Sequence, residues 1–70
     1  MIAVFKTDIP DQQTAQYVKQ ELIKQWPNAR IDFDLEDCDR ILRFQAEHVA
    51  ESAIEQALAQ LNITGVALED

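Results

Sequence analysis

The chain has 70 residues, is 47% hydrophobic and carries a formal net charge of −7 at pH 7. This length predicts one domain, residues 1–70, with a core near the lower size limit for a fold without disulfides or metals. The hydrophobic fraction argues against disorder. Six basic residues spread along an acidic chain argue against nucleic-acid binding and against binding to an anionic membrane surface.

The single cysteine, Cys38, rules out an intramolecular disulfide. The apolar stretch at residues 1–5 is too short for the hydrophobic region of a signal peptide or for a membrane span. We therefore expect a cytoplasmic protein.

The first half of the chain predicts a strand followed by a helix. Residues 2–6 are a short apolar run with β-branched and aromatic side chains, which is typical of a strand. Asp8 is the predicted cap of the helix, and Pro27 ends it. Apolar residues recur between them at spacings of three and four: Ala15, Val18, Leu22 and Trp26.

A hairpin is predicted next. Residues 30–35 alternate between apolar and charged side chains, which indicates a half-buried strand. Residues 36–39 form the turn, and residues 40–46 return as the third strand. Leu42 and Phe44 are expected to face the core.

The other side chains of this hairpin are expected on the open face of the sheet. Arg40 and Arg43 are predicted to lie near Asp32 and Asp34 as cross-strand ion pairs. Ile41 is an apolar residue on this same face.

The second half of the chain continues with a helix and a last strand. Residues 49–61 predict the helix from one apolar stripe: Ala50, Ala53, Ile54, Ala57, Leu58 and Leu61. Asn62 is expected to end the helix in a left-handed conformation. Residues 64–69 predict the last strand.

The element order β-α-β-β-α-β predicts an α+β ferredoxin-like sandwich. Right-handed crossovers give an antiparallel sheet of strand order 4-1-3-2 with both helices on one face. Three loops, residues 7–11, 36–39 and 62–65, should then share one end of the molecule. Residues 27–28 and 47–48 should lie at the opposite end.

These element lengths, the short first strand leading to a loop, and the hairpin of residues 31–44 resemble the heavy-metal-associated domain of copper chaperones and metal-pumping ATPases. That family binds metal through two cysteines, two residues apart, in the loop after the first strand. Here the loop reads KTDIPDQQTA, from Lys6 to Ala15, without a thiol. Soft Cu(I) ligation lacks its ligands, so the resemblance implies the fold and no metal role for any residue.

Acidic residues are the sharpest local feature. Five of the 13 fall within residues 32–39. This segment lacks the glycine at position six and the carboxylate at position twelve of a calcium-binding loop, where Asp37 and Arg43 stand instead. The predicted topology gathers six candidate residues, called here the acidic end: Asp8, Asp11, Glu36, Asp37, Cys38 and Asp39.

The acidic end has two interpretations. Its mutual repulsion would be relieved by a basic partner surface or by a loosely held Mg²⁺ or Ca²⁺. Alternatively it is a solvated surface that salt and the nearby Arg40 and Arg43 balance. Carboxylates around Cys38 disfavour its thiolate, so an unreactive turn thiol is expected.

The other candidate residues indicate structure. His48 is expected near the start of the second helix, far from Cys38. Trp26 and Tyr17 have the spacing of a packed helix face. The sequence contains no nucleophile–base set, glycine-rich loop or basic pocket that would indicate an enzyme. No cofactor is expected. An acylphosphatase-like hydrolase would need an arginine in the first loop, and residues 7–14 contain none.

Two functions of different classes follow. The first is a non-catalytic module for protein interaction or self-association, which uses the open sheet face or the outer strands 30–35 and 64–69. The second is a degenerate metal-handling domain that binds a hard or borderline divalent cation at the acidic end.

Overall fold

The computed structural model describes residues 2–68 and has one antiparallel four-stranded sheet with two helices. The elements in chain order are β1 (Ile2–Thr7), α1 (Gln12–Gln25), β2 (Arg30–Asp34), β3 (Ile41–Gln45), α2 (Glu51–Gln60) and β4 (Gly65–Ala67). The strand order is β2-β3-β1-β4, which confirms the predicted ferredoxin-like α+β fold. Across this range no helix combines the length and apolar character that a membrane crossing requires.

The core lies between the sheet and both helices. Alternate residues of β1 and β3, such as Phe5 and Phe44, are fully buried on the helix side. Helix side chains that are equally buried pack against them: Val18, Leu22, Ile54 and Leu58. Removing a side chain of this size from water contributes about 1.5–3 kcal/mol. Trp26 closes one end of the core, with its ring centroid 5.4 Å from that of Phe44 in an edge-on arrangement.

The start of α1 differs from the prediction. Asp11, not Asp8, is the N-cap, and its side chain accepts a hydrogen bond from the backbone N–H of Thr14 at 2.8 Å. Asp8 instead accepts from the backbone N–H of Thr64 at 3.0 Å. Both aspartates suit a cap, and the tertiary contact with Thr64 decides which one serves.

Helix α2 is shorter than the predicted 49–61. His48 has a positive φ of 54°, and Ala50 is the extended N-cap residue, so the helix begins two residues late. His48 is thus an exposed bend residue that precedes the helix. Asn62 has a φ of 63° and ends the helix turn as predicted.

Strand β1 extends one residue beyond the predicted 2–6, to Thr7, and the other three strands are slightly shorter than predicted. β2 ends at Asp34, one residue before Leu35, and β3 begins at Ile41 because Arg40 has a positive φ of 48°. β4 covers only residues 65–67, and the predicted extension to Glu69 lies outside the described residues.

Candidate functional site at the acidic end and the open sheet face

The three loops of the acidic end are joined by hydrogen bonds. The backbone N–H of Thr7 donates to the carbonyl oxygen of Asp39 at 3.0 Å. The Thr7 hydroxyl donates to the carbonyl oxygen of Arg40 at 2.5 Å. The bond between Asp8 and Thr64 ties in the third loop. The expected convergence of these loops on one end is therefore present.

Several carboxylates of the acidic end already accept hydrogen bonds from the backbone. Besides Asp8 and the cap residue Asp11, Asp37 accepts from the N–H of Asp39 at 2.8 Å. The backbone N–H of Thr14 stabilises the carboxylate form of Asp11 and lowers its pKa. These three side chains therefore shape the loops in which they lie.

Three potential ligands gather in the hairpin turn. The ligand atoms of Asp37, Cys38 and Asp39 lie within 4.8 Å of one another, and the Cys38 thiol is exposed. A carboxylate oxygen of Asp39 lies 3.5 Å from the ammonium group of Lys6. Glu36 is exposed in the same turn and is not part of this group.

Two contacts at this end differ from the prediction or were missed. Arg40 was expected beside Asp34, but its guanidinium donates to the carbonyl oxygen of Pro10 at 3.2 Å. The left-handed backbone at Arg40 removes this residue from the strand, so its side chain no longer follows the sheet face. Lys6, rather than Arg40, is the cation beside the turn carboxylates. The one sequence signal for Lys6 is its place directly before the loop.

The loop after β1 does not fit a soft metal ion. It contains no sulfur, and Asp8 and Asp11 are engaged with backbone N–H groups. Soft ions such as Cu(I) prefer thiolate or thioether ligands. Cys38 is in the other loop, and His48 follows β3 at the opposite end of that strand, so the two do not form a pair.

The open face of the sheet carries the second candidate surface. Ile2 is 66% exposed, Val66 is 52% exposed and Leu68 is 39% exposed, and Val4 between them is partly exposed. These four residues, called here the open-face patch, lie on β1, on the adjacent β4 and at the residue that follows β4, since the N–H of Leu68 donates to the carbonyl oxygen of Val4 at 2.8 Å.

Cations border the open-face patch. Lys6 lies opposite Val66 in the register of β1 and β4, and Arg43 lies opposite Val4 in the register of β1 and β3. Arg43 also lies opposite Asp32, as predicted, but the expected ion pair between them is not present among the described residues, and Asp32 instead lies 4.0 Å from the Nε atom of Arg30. Ile41 is on this side by alternation with Leu42 and is only 6% exposed.

A surface concavity lies away from both candidates. It is an open groove of about 760 Å³ at the opposite end, lined by residues 25–30 and 45–47 and by Val49. It contains Arg30 and Glu47 but no other ionisable residue. Nothing in its lining assembles a catalytic set of side chains.

Comparison with known proteins adds support for the fold. No family model matches the sequence, and no curated protein matches it at a significant level. A solved structure described as a gold-binding protein is similar to this chain with a TM-score of 0.84 and 18% identity. The match covers 94% of this chain and 98% of that one. At this identity the two proteins share the ferredoxin-like architecture, and the comparison says no more.

Proposed function

We propose that this chain is a non-catalytic protein-interaction or self-association module. Its fold resembles that of the heavy-metal-associated domain, but the chain has lost the cysteine thiols through which that family binds metal. The observation that carries the proposal is the open-face patch, in which Ile2, Val4, Val66 and Leu68 leave apolar surface in water on two adjacent strands. Contiguous apolar patches of this kind mark interaction sites more often than single exposed residues do.

The border of the patch indicates the chemistry of a partner. Lys6 and Arg43 flank the apolar residues, although the chain as a whole has a net charge of −7. A protein surface with apolar side chains at its centre and carboxylates at its rim would match it in both respects. The acidic end would repel such a partner and so favour docking on the sheet face.

The carboxylates of Asp8, Asp11 and Asp37 serve backbone N–H groups, which leaves them poorly suited to general acid or base roles. We propose that the module acts without a cofactor, in the cytoplasm, and without nucleic acid or membrane as partner.

Paired substitutions test the patch. The double variant Val66→Ser/Leu68→Ser removes exposed apolar surface, and Tyr17→Ser is its matched control, since Tyr17 is also 52% exposed but lies on α1. Cross-linking and pull-down with mass spectrometry, together with sedimentation velocity, should show a contact that the double variant loses and the control keeps. A monomer without any patch-dependent partner would refute the proposal.

A degenerate metal-handling domain is the second candidate. It is favoured by the group Asp37, Cys38 and Asp39, whose ligand atoms lie within 4.8 Å of one another. The structural neighbour described as a gold-binding protein adds a fold-level analogy. A hard or borderline divalent cation suits two carboxylates better than gold or Cu(I) would.

Calorimetric titration separates this candidate from the first. Zn²⁺, Mg²⁺, Ca²⁺ and Ni²⁺ are titrated into the chain and into the variants Cys38→Ser and Asp37→Asn, with Asp32→Asn on β2 as the control for lost charge. Binding in the micromolar range that both turn variants weaken would support a metal site. Binding no tighter than millimolar would exclude it.

A further inference from the structure

The two edges of the sheet differ in their free hydrogen-bonding groups. β4 is the edge strand next to β1 and is only three residues long. The N–H of Ala67 points away from β1 and donates to the carboxylate of Glu55 on α2 at 2.9 Å. A strand that added to β4 would have to displace Glu55. This edge is therefore protected in the way that natural sheets protect their edges.

The opposite edge, β2, has outward-facing backbone groups. Along a strand, the backbone N–H and carbonyl groups of successive residues point to opposite neighbouring strands. The bonds from Leu68 to Val4 and from Thr7 to Asp39 show that Val4 bonds toward β4 and Thr7 toward the β3 side. When this alternation is followed through the registers of β1 with β3 and of β3 with β2, the backbone N–H and carbonyl groups of Ile31 and Phe33 face away from β3. Within residues 2–68, no hydrogen bond reaches these outward-facing groups of β2.

We infer that the β2 edge pairs with the β2 edge of a second copy of this chain. The strands run antiparallel with Ile31 on the two-fold axis, where the N–H of each Ile31 donates to the carbonyl oxygen of the partner's Ile31. Arg30 then lies opposite the partner's Asp32, and Asp32 lies opposite the partner's Arg30. Both pairs are in non-hydrogen-bonded positions, where facing side chains approach most closely.

Charge selects this register among the neighbouring ones. Centring the axis on Asp32 would place that carboxylate against its own copy, and centring it on Phe33 would place Asp32 against the partner's Asp34. With Ile31 at the axis, no like charges face each other within the strand. The Arg30 side chain is 80% exposed; its Nε lies 4.0 Å from Asp32 of its own strand, and the guanidinium carries further N–H donors for the partner's Asp32. Edge pairing over five residues is small, so we expect a weak dimer, with a Kd of about 0.1–1 mM.

The pairing joins the sheets of two chains. Its biological role rests on the proposed interaction function. The eight strands form one continuous sheet with all helices on one face. Two open-face patches then lie on the other face. Five strand spacings separate the two β1 strands, which sets them about 24 Å apart. A partner with two docking segments at this separation would gain avidity.

Charge exchange tests the register by equilibrium sedimentation at concentrations up to about 1 mM. Arg30→Asp and Asp32→Arg should each weaken dimerisation about tenfold or more, because two attractive pairs become two repulsive ones. The double variant Arg30→Asp/Asp32→Arg should restore the affinity. Asp32→Arg is decisive, since it reduces the net charge from −7 to −5 (−1 becomes +1) and general repulsion alone would tighten the dimer.

Controls separate this inference from the proposed function. Lys19→Asp makes the same charge change as Arg30→Asp on the exposed side of α1 and should leave the dimer within about twofold. Val66→Ser/Leu68→Ser should keep the dimer and lose the patch-dependent contact. A monomeric wild type, a tighter Asp32→Arg dimer, an unrestored double variant, or a dimer lost with Val66→Ser/Leu68→Ser would each overturn the inference. Circular dichroism verifies that each variant is folded.

Discussion

The Thr7 hydroxyl joins two loops by donating to the carbonyl oxygen of Arg40 and accepting from the N–H of Ile9, at 2.5 and 3.3 Å. Thr7 is 8% exposed and is the one buried polar residue within residues 2–68. Its hydroxyl holds the loop after β1 against the hairpin turn, and through these bonds it positions much of the acidic end.

Thr7→Val is expected to lower the free energy of unfolding by about 1–3 kcal/mol, because it leaves the Arg40 carbonyl and the Ile9 N–H unsatisfied in a nearly buried site. Urea unfolding measures the change. Thr7→Ser keeps the hydroxyl and should recover most of the loss. A Thr7→Val variant as stable as the wild type, or a Thr7→Ser variant that loses more than Thr7→Val, would show that the hydroxyl is not the stabilising group.

Asp11 gives the stability a pH dependence. Its pKa is lowered in the folded chain by the hydrogen bond from the Thr14 backbone. The cap therefore stabilises the fold above the unfolded pKa of about 4 and loses this effect as pH falls from there through the lower folded pKa. The melting temperature should decline across this range. The part of the decline due to residue 11 should be absent in Asp11→Asn, because asparagine caps the helix without a titrating group. Asp11→Ala should lower the melting temperature by a few degrees at pH 7.

Gly65 allows β4 to approach α2 closely. A Cβ atom there would overlap the Cδ1 atom of Leu58, which is fully buried. Gly65→Ala should cost about 1–3 kcal/mol in unfolding free energy through overpacking. In a Leu58→Ala background the same change should cost much less, which a double-mutant cycle measures. Stabilisation by Gly65→Ala alone, as at unstrained sites, would contradict this account.

Glu55 protects the β4 edge, and its removal should open it. Glu55→Ala leaves the Ala67 N–H without its acceptor and should cost about 1–2 kcal/mol. The newly open edge should also increase association or thioflavin-positive aggregation on prolonged incubation. Glu55→Gln retains an acceptor oxygen and should behave like the wild type. If Glu55→Ala does not aggregate faster than Glu55→Gln, the edge is protected by other means.

The fold was largely predictable because its signals are local. Alternation along residues 30–35 fixed which side of β2 faces the core, and Ile31 is buried while Asp32 is exposed. Helix spacing correctly identified Val18 and Leu22 as core residues, but it was wrong for Tyr17, which is 52% exposed. Element order then left few topologies, since crossovers are right-handed.

The errors come from contacts between residues distant in sequence. Asp8 and Asp11 are equally good caps by residue type, and only the bond to Thr64, 56 positions from Asp8, distinguishes them. Arg40 leaves the sheet face because its backbone is left-handed, a conformation for which arginine has no preference.

The candidate surfaces were harder to predict than the fold. The ion pair between Lys6 and Asp39 depends on strand register and turn shape together, and the bond from Ala67 to Glu55 depends on how α2 lies across the sheet. Apart from the place of Lys6 directly before the loop, neither contact has a sequence signature. The role of the acidic end in partner or cation binding stays a prediction.

The unequal margins of the sheet limit how far the chain can assemble. The β4 edge is occupied by the Glu55 side chain from α2, and the β2 edge is open. A protomer with a single strand-accepting margin has a valence of one, so growth stops at a pair and an open-ended polymer cannot propagate. We therefore expect the Glu55 carboxylate on the β4 edge to limit strand-by-strand growth of the sheet to a pair of chains.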